Sequence, residues 1–537
     1  MTAVTTARFG TRTGGSRQLA GTGTLLRLAL RRDRVMLPVW VFIVAGLVLS
    51  MPGALEQSYG TAAERADAMR SMNANSSMRA LYSPVFGDSI GALSAWRIGV
   101  YAAILAAVMS LIIVIRHTRD EEETGRQEMI SAAMVGRRAP LTAALLAAFV
   151  ANAAAGLLIA GGMAGQGSGG ALALGLGVAG TGMLFATMAA IVAQLTESAR
   201  LAKGLTSGVL GAAYVLKAAG DAGTEGGESV LTWISPLGWV QNLRAFAGER
   251  WWVLLLIGGA ILAQGALAYD LAGRRGVGMS FLPTRPGPAQ GKLATAGALA
   301  WRLQRGSVLG WALGFLAAGV VFGGMAEGAA DIVGDNRNTR DIIQRMGGQS
   351  GLTDAFLSTM VGMLGMTAAL YVVASVLRLH AEETSQRAEP VLANAVGRLR
   401  WAAGHLVIAF GGALLLMLVG GLGLAVGYGK DLGPILGACL VQVAAIWAIG
   451  GLAVLLAGAL PRAAVAAWAV AGVCLAIGWI GPALDLPQAA MDLSPYGHLP
   501  KLPGGGMEWA PVVVLLTIAA ALVAAGLAGL RRRDMIS

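Results

Sequence analysis

The sequence predicts an all-α polytopic membrane protein of about twelve transmembrane helices, arranged as two tandem six-helix halves. Three observations carry that expectation. Of 537 residues, 56% are hydrophobic and only 13% charged, and the mean hydropathy is +0.66, far too apolar for a soluble chain of this length. Uncharged runs of about 20 residues, enough to cross a bilayer core at roughly 1.5 Å per residue, recur from end to end. The second half also repeats the charge pattern of the first.

Residues 1–20 are polar, rich in Thr and Gly, and carry Arg8, Arg12 and Arg17; they read as a disordered arm and not as a cleavable signal. The first half, 21–273, opens with an amphipathic stretch over 21–34. There Leu25, Leu28 and Ala29 share one helical face and Arg27, Arg31 and Arg34 another, as in a helix lying at the membrane interface. Spans follow near 35–55, 96–115, 140–162, 170–194, 204–220 and 251–272. The fifth is short and ends at Lys217. Residues 274–297, rich in Pro, Gly and Arg, form a linker. The second half, 298–537, restarts with Leu299 and Leu303 opposite Arg302 and Arg305, then has spans near 307–325, 357–377, 401–427, 432–459, 463–484 and 508–530. The segments 56–95 and 326–356 between spans are polar and compatible with partial helix.

An even number of spans puts both termini on one side. With that side cytoplasmic, 28 of the 40 Lys and Arg lie inside and 12 outside, as the positive-inside rule requires. Arg outnumbers Lys 35 to 5 among abundant Ala and Gly, a composition of GC-rich bacterial genomes, so the expected location is a bacterial cytoplasmic (inner) membrane. Cys439 and Cys474 fall inside spans and read as packing residues, which argues against a disulfide framework or a cysteine metal site. The net charge of +11 does not mark a nucleic-acid binder, because the arginines flank apolar spans and do not line a soluble basic groove.

The most informative feature is the internal repeat. The loop 116–138 contains His117-Thr-Arg-Asp-Glu-Glu-Glu-Thr-Gly-Arg-Gln-Glu128 and ends Val135-Gly136-Arg137. The loop 378–400 contains Arg378-Leu-His-Ala-Glu-Glu-Thr-Ser-Gln-Arg-Ala-Glu389 and ends Val396-Gly397-Arg398, at a constant offset of 261. Before the last span of each half, Ser235-Pro236-Leu237-Gly238-Trp239 is matched by Ser494-Pro495-Tyr496-Gly497-His498, and Arg31, Arg34 and Trp40 are matched by Arg302, Arg305 and Trp311. Halves of six spans insert in the same orientation, so a pseudo-twofold axis along the membrane normal relates them. Glu122 and Arg126, and again Glu383 and Arg387, stand at i and i+4 with the acid first, a spacing that supports a short exposed helix in each loop. A charge run of this kind is often only a solvated face; its repetition favours a docking element.

An amphipathic start, six spans, a Glu-Glu-x-x-x-Arg-x-Glu loop helix after the second span and Ser-Pro-x-Gly before the sixth resemble the membrane domain of type-2 ABC exporters. The fused two-half form, with Ser-Pro-Leu-Gly-Trp and Trp251-Trp252, is similar to actinobacterial permeases that export polyketide antibiotics of the tetronasin type and to multidrug exporter permeases. The resemblance covers nearly the whole chain. It implies that the loop helices are coupling helices seated on two copies of a cytosolic ABC ATPase. That role would fall to Glu122, Arg126, Glu128, Gly136 and Arg137, and to Glu383, Arg387, Glu389, Gly397 and Arg398. Pro390 and Ser385-Gln386 depart from the first loop's pattern, so the two docking sites need not be equivalent. The resemblance also makes Ser235, Pro236, Gly238 and Trp239, with Ser494, Pro495 and Gly497, part of short re-entrant segments on the outer side. The residues alone fit a Pro-Gly turn beneath an aromatic belt equally well.

The chain lacks a phosphate-cradling loop: Gly291-Lys292 is followed by Leu293 and Gly429-Lys430 by Asp431, so no cofactor is expected on it and energy must come from another subunit or an ion gradient; the resemblance implies ATP and Mg on a partner ATPase. The alternative is a gradient-driven secondary drug transporter, which would keep acids deep in its spans. The spans show almost none: Asp270 and Asp485 lie near span ends, and His405 near the start of the ninth span. A membrane-embedded enzyme finds no motif, and His117, His380, His405 and His498 are too scattered for a metal site. Few intramembrane charges favour a hydrophobic or amphipathic cargo, moved from a cavity between spans two and five as the resemblance implies. Met360, Met363 and Met366 offer an adaptable apolar wall of the kind promiscuous sites use; helix packing is the other reading of these methionines.

Overall fold

The computed structural model describes residues 18–131, 135–224, 226, 228–276, 278–282, 291, 293, 295–326, 351–394, 396–480 and 487–534. All regular structure among them is helical. The chain forms two compact units, Met1–Pro286 and Gly287–Ser537.

In the first unit the helices are α1 (Thr22–Arg32), α2 (Met36–Leu49), α3 (Met51–Ser58), α4 (Ala62–Ala74), α5 (Ser76–Tyr82), α6 (Ile90–Arg116), α7 (Arg119–Glu123), α8 (Arg126–Ser131), α9 (Ala139–Gly162), α10 (Ser168–Leu195), α11 (Ala199–Gly223), α12 (Val230–Ile234), α13 (Pro236–Asn242) and α14 (Trp252–Arg274). α6, α9 and α10 form the centre, with Met109, Ile113, Ala147, Ala148, Ala186 and Ala189 buried among them. They are apolar on every face, which suits helices surrounded by other helices. Small residues set the spacing: a Cβ on Gly156 would fall 2.8 Å from the Gly175 carbonyl oxygen, so α9 and α10 touch backbone to backbone. Between α2 and α6 the polar segment is largely helical. Thr61 and Glu64 close a capping box on α4, and Asn75 caps α5.

The second unit contains α15 (Ala296–Ala326), α16 (Leu352–Thr384), α17 (Glu389–Leu392), α18 (Arg398–Tyr428), α19 (Leu432–Ala459), α20 (Ala466–Ile480), α21 (Gln488–Met491) and α22 (Trp509–Arg532). α15 packs along α18 through glycines, a Cβ on Gly423 falling 2.5 Å from the Leu316 carbonyl oxygen. Left-handed Gly429 and Asp431 make the tight turn from α18 to α19.

Among the described residues ten helices are long and apolar enough to cross a membrane, so the protein is a multi-pass membrane protein. The other two expected spans are the fifth of each half. α11 carries Arg200, Lys203, Lys217 and Asp221, which lower its hydropathy, and the described part of α20 is 15 residues long. Of the arm expected over 1–20, residues 1–17 lie outside the described residues, as do 327–350 of the segment 326–356, and Asp485. Gln18 and Ala20 are ordered against the first loop, their carbonyls accepting from the Arg138 and Gly136 amides at 3.0 and 2.9 Å.

The amphipathic starts differ between halves. α1 is a separate helix ending at Asp33, whereas the stretch around Leu299 and Arg302 is simply the first turns of the continuous α15. The residue at the break accounts for this. Asp33 is buried and turned to His117 at 2.6 Å and Arg116 at 3.2 Å. Its counterpart Gln304 stays helical and bonds Ser375 and His405. His405, read from the sequence as a helix-end residue, is thus a buried partner of Gln304.

Candidate functional site

At the end of the first half that carries loop 116–138, here the loop face, the acidic run Asp120–Glu123 fastens three other parts of the chain: α11, α1 and the segment after α14. Asp120 pairs with Lys203 of α11 at 2.8 Å. Glu121 pairs with Arg32 of α1. Glu122 takes the Arg275 guanidinium bidentately, at 2.6 and 2.8 Å, and also meets Arg119. Glu123 accepts from the Ala199 amide at 2.9 Å, at the start of α11 where four backbone donors lack helical partners. Arg119 is itself buried, donating to the Thr196 and Met279 carbonyls. Arg137 donates to the Arg275 carbonyl.

The second half repeats the core of this arrangement. Glu383 takes Arg533 bidentately at 2.5 and 2.6 Å, and Arg398 donates to the Arg533 carbonyl at 2.6 Å. Glu122 and Glu383, and Arg137 and Arg398, are equivalent under the 261 offset. In both halves they gather on an arginine just past the sixth span. Planar carboxylate and guanidinium groups joined by two parallel bonds fix orientation as well as distance.

The expected Glu122–Arg126 pair does not form. Gly125, at φ +71°, ends α7 and re-aims the chain into α8, so Arg126 approaches Glu121 at 3.6 Å. Gln386, at the equivalent position, has φ +58°, and Arg387 is not paired with Glu383 among the described contacts. Each loop therefore has an inner and an outer part. Glu122, Arg137, Glu383 and Arg398 face inward to the span ends. Arg126, Glu128, Arg387 and Glu389 lie on the exposed parts, where Met129 is 71% exposed on α8. Gly136 is buried against Ala20, and Gly397 precedes α18 as its N-cap. Sequence reasoning missed Arg275 and Arg533. The available signal was a cluster of arginines at matching ends of the two sixth spans, Arg274-Arg275 and Arg531-Arg532-Arg533.

At the opposite face, Ser235 caps α13, its hydroxyl accepting from the Leu237 amide and donating to the Ala213 carbonyl of α11 at 2.6 Å. Pro236 occupies the first turn, where no amide donor is needed. Trp239 donates to the Trp233 carbonyl, and Trp233 stacks on Trp252. Ser494 and Pro495 begin only a single turn of 3-10 helix, Pro495–His498. The glycine of each motif marks a close approach: a Cβ on Gly238 would overlap the Thr232 carbonyl, and one on Gly497 would fall 2.9 Å from the Met491 carbonyl.

One feature overturns the expectation of spans nearly free of charge. α11 continues to Gly223 and buries Lys217 and Asp221 completely, 3.2 Å apart. Asp221 accepts from Thr232 and Gln241, both at 2.8 Å, and Arg79 donates to the carbonyls of Asp221 and Ala222. The network thereby ties α11 to α5, α12 and α13. Of the three methionines, Met366 is buried and Met360 and Met363 are half-buried. No group of three or more His, Cys, Asp or Glu that could hold a metal occurs among the described residues.

Residues 293–531 match the family model for the C-terminal domain of the multidrug efflux system permease Rv1217c. Over 532 residues the chain is 41% identical to the multidrug efflux system permease protein Rv1217c of Mycobacterium tuberculosis, covering 96% of this chain and 95% of that protein. With two helical units, ten helices long and apolar enough to cross a membrane among the described residues, and a relative this similar over nearly its whole length, the chain belongs to the family of multidrug efflux system permeases typified by Rv1217c.

Proposed function

We propose that this chain is the membrane-spanning permease subunit of an ATP-driven ABC exporter that moves hydrophobic or amphipathic compounds, drugs and antibiotics among them, out across the bacterial cytoplasmic membrane. The observation that carries the reading is the repeated Glu–Arg–Arg tie, Glu122–Arg275–Arg137 and Glu383–Arg533–Arg398. A loop that only faces solvent needs no such fastening. A loop that receives a push and passes it to the sixth span does.

In this reading the loop face is cytoplasmic, as are both termini. Two copies of an ABC ATPase bind beneath the halves, one against α8 with Arg126, Glu128 and Met129, the other against Arg387 and α17 with Glu389. ATP and Mg reside on those subunits, and their closure pushes the loops. The ties carry the displacement into the spans, and the compound leaves at the opposite face. Beyond the ATPase, the partners are membrane lipid and the cargo, with no nucleic acid.

Gradient-driven secondary transport would draw on buried ionisable groups such as the Lys217–Asp221 pair of α11. Asp221 is already held by Thr232 and Gln241, which suits a fixed brace better than a relay. The two readings separate on purification from the native membrane in mild detergent. A Walker-A subunit should copurify at about two copies per chain, with vanadate-sensitive ATP hydrolysis, and be lost when Arg126→Glu and Met129→Asp are combined with Glu389→Arg. Recovery of the folded chain with no ATPase would refute the proposal.

A further inference from the structure

The two Ser-Pro-x-Gly segments are equivalent in sequence and unequal in structure. In the first half the segment is sealed: Ser235 is satisfied by the Ala213 carbonyl, Leu237 is fully buried, and the Lys217–Asp221 network braces the helices on either side. In the second half α20 carries no charged residue between Ala466 and Ile480, and Tyr496 stands where the first half has Leu237. The Tyr496 hydroxyl donates to the Gly365 carbonyl at 2.8 Å and ties the segment to α16. Ser494 is 1% exposed, and its hydroxyl has no nitrogen or oxygen partner among the described residues, the Cys474 thiol being its polar neighbour.

Ser494 lines a cavity open on one side, with Met366, Gln442, Ile477, Tyr496 and Leu499. Its walls pair a thioether and an aromatic ring, which adapt to varied apolar shapes, with a hydroxyl and an amide able to make a polar contact. A pocket of the first half borders α13 through Val240 and Gln241, among Ser83, Trp96 and Leu174, but Ser235 does not line it.

We propose that the second-half cavity is a binding site for the transported compound, and that it selects neutral amphipathic molecules with an apolar body and a hydrogen-bond-accepting oxygen. Ser494 donates to that oxygen while Met366 and Tyr496 hold the body. The inference rests on the exporter reading for the identity of the ligand as cargo, and its test needs no ATPase.

Gly362 lines the same cavity and a Cβ there meets nothing within 4 Å, so Gly362→Leu starts a side chain into open space at the cavity. The purified chain in lipid nanodiscs would be irradiated with a neutral alkyl ketone carrying a diazirine and an alkyne, and the label mapped by mass spectrometry. Saturable labelling is expected on residues 358–366 and 491–501, competed by the plain ketone, at least fivefold lower in Gly362→Leu and several-fold lower in Ser494→Ala. Labelling that does not saturate, or that persists unchanged in both variants, overturns the proposal while leaving ATP-dependent export untouched. Saturable labelling without any copurifying ATPase would instead keep the site and reject the energy source.

Discussion

Replacing Arg533 with alanine isolates the tie in the second half. Its guanidinium holds Glu383 through bonds of 2.5 and 2.6 Å and donates from Nε to the Gly458 carbonyl at 2.8 Å, while the Glu383 side chain is 1% exposed. Removing the cation takes the bidentate partner from a desolvated carboxylate. Breaking a buried pair from one side generally destabilises by about 3–5 kcal/mol. The arginine is 14% exposed, so the lower end, about 3 kcal/mol, applies. For a unit of this size that corresponds to a fall of roughly 6–12 °C in apparent melting temperature. Arg533→Lys keeps the charge but not the two parallel bonds and should lose about 1 kcal/mol. The reversed pair Glu383→Arg with Arg533→Glu should recover part of the loss, which a double-mutant cycle reads directly. In the first half Arg275→Ala leaves Glu122 with Arg119, and about 1–2 kcal/mol is expected there. The assay is size-exclusion of detergent-purified protein after graded heating. A flat response to Arg533→Ala, or an equal loss with lysine, would refute the reasoning.

The Lys217→Met variant should melt well below wild type, by about 3 kcal/mol, and adding Asp221→Leu should restore much of it, because two apolar side chains replace a buried ion pair at little cost; no recovery in the double variant would mean the pair does more than brace. Gly238→Ala should destabilise the first half's far segment, since the methyl overlaps the Thr232 carbonyl, and protease should then cut within 224–242 in intact membranes; unchanged protection would count against the close approach. At Glu64 the Thr61 amide and hydroxyl lower the carboxyl pKa, so its support of α4 is present above the ordinary value of about 4.3 and is lost as pH falls through the lowered one. Amide exchange at 64 and 65, corrected for intrinsic rates, should therefore rise between about pH 5 and pH 3 in wild type and not in Glu64→Gln; the same rise in both would sink the assignment.

The architecture was largely legible because lipid imposes length and apolarity on each span, and because the offset of 261 made Glu122 and Arg137 visible a second time as Glu383 and Arg398. Their meeting point was not. Arg275 and Arg533 lie at an offset of 258, inside ordinary positive flanks, and nothing local singles out one arginine from its neighbours. Helical spacing suggested Glu122–Arg126, worth only about 0.2–0.5 kcal/mol, and a bidentate tertiary partner readily outcompetes it once Gly125 turns the chain. Lys217 and Asp221 stand at i and i+4 at the end of the weakest span, where a base preceding an acid looks like an exposed helix end. Only the packing of Thr232, Gln241 and Arg79 around them reveals a buried brace. Ser235 and Ser494 show the limit of reading repeats: the same residue in the same motif is satisfied in one half and left facing a cavity in the other, because Leu237 and Tyr496 fill their surroundings differently.

The central claim is that ATP hydrolysis on a partner, received at the loop face, drives export. Inside-out membrane vesicles carrying the chain and the partner ATPase, with a lipophilic fluorescent dye added to the outer solution, test it most directly. Accumulation of the dye should require ATP, stop with vanadate, and continue when an uncoupler collapses the proton gradient. Accumulation that follows the proton gradient without ATP would contradict the account and transfer the function to a secondary carrier.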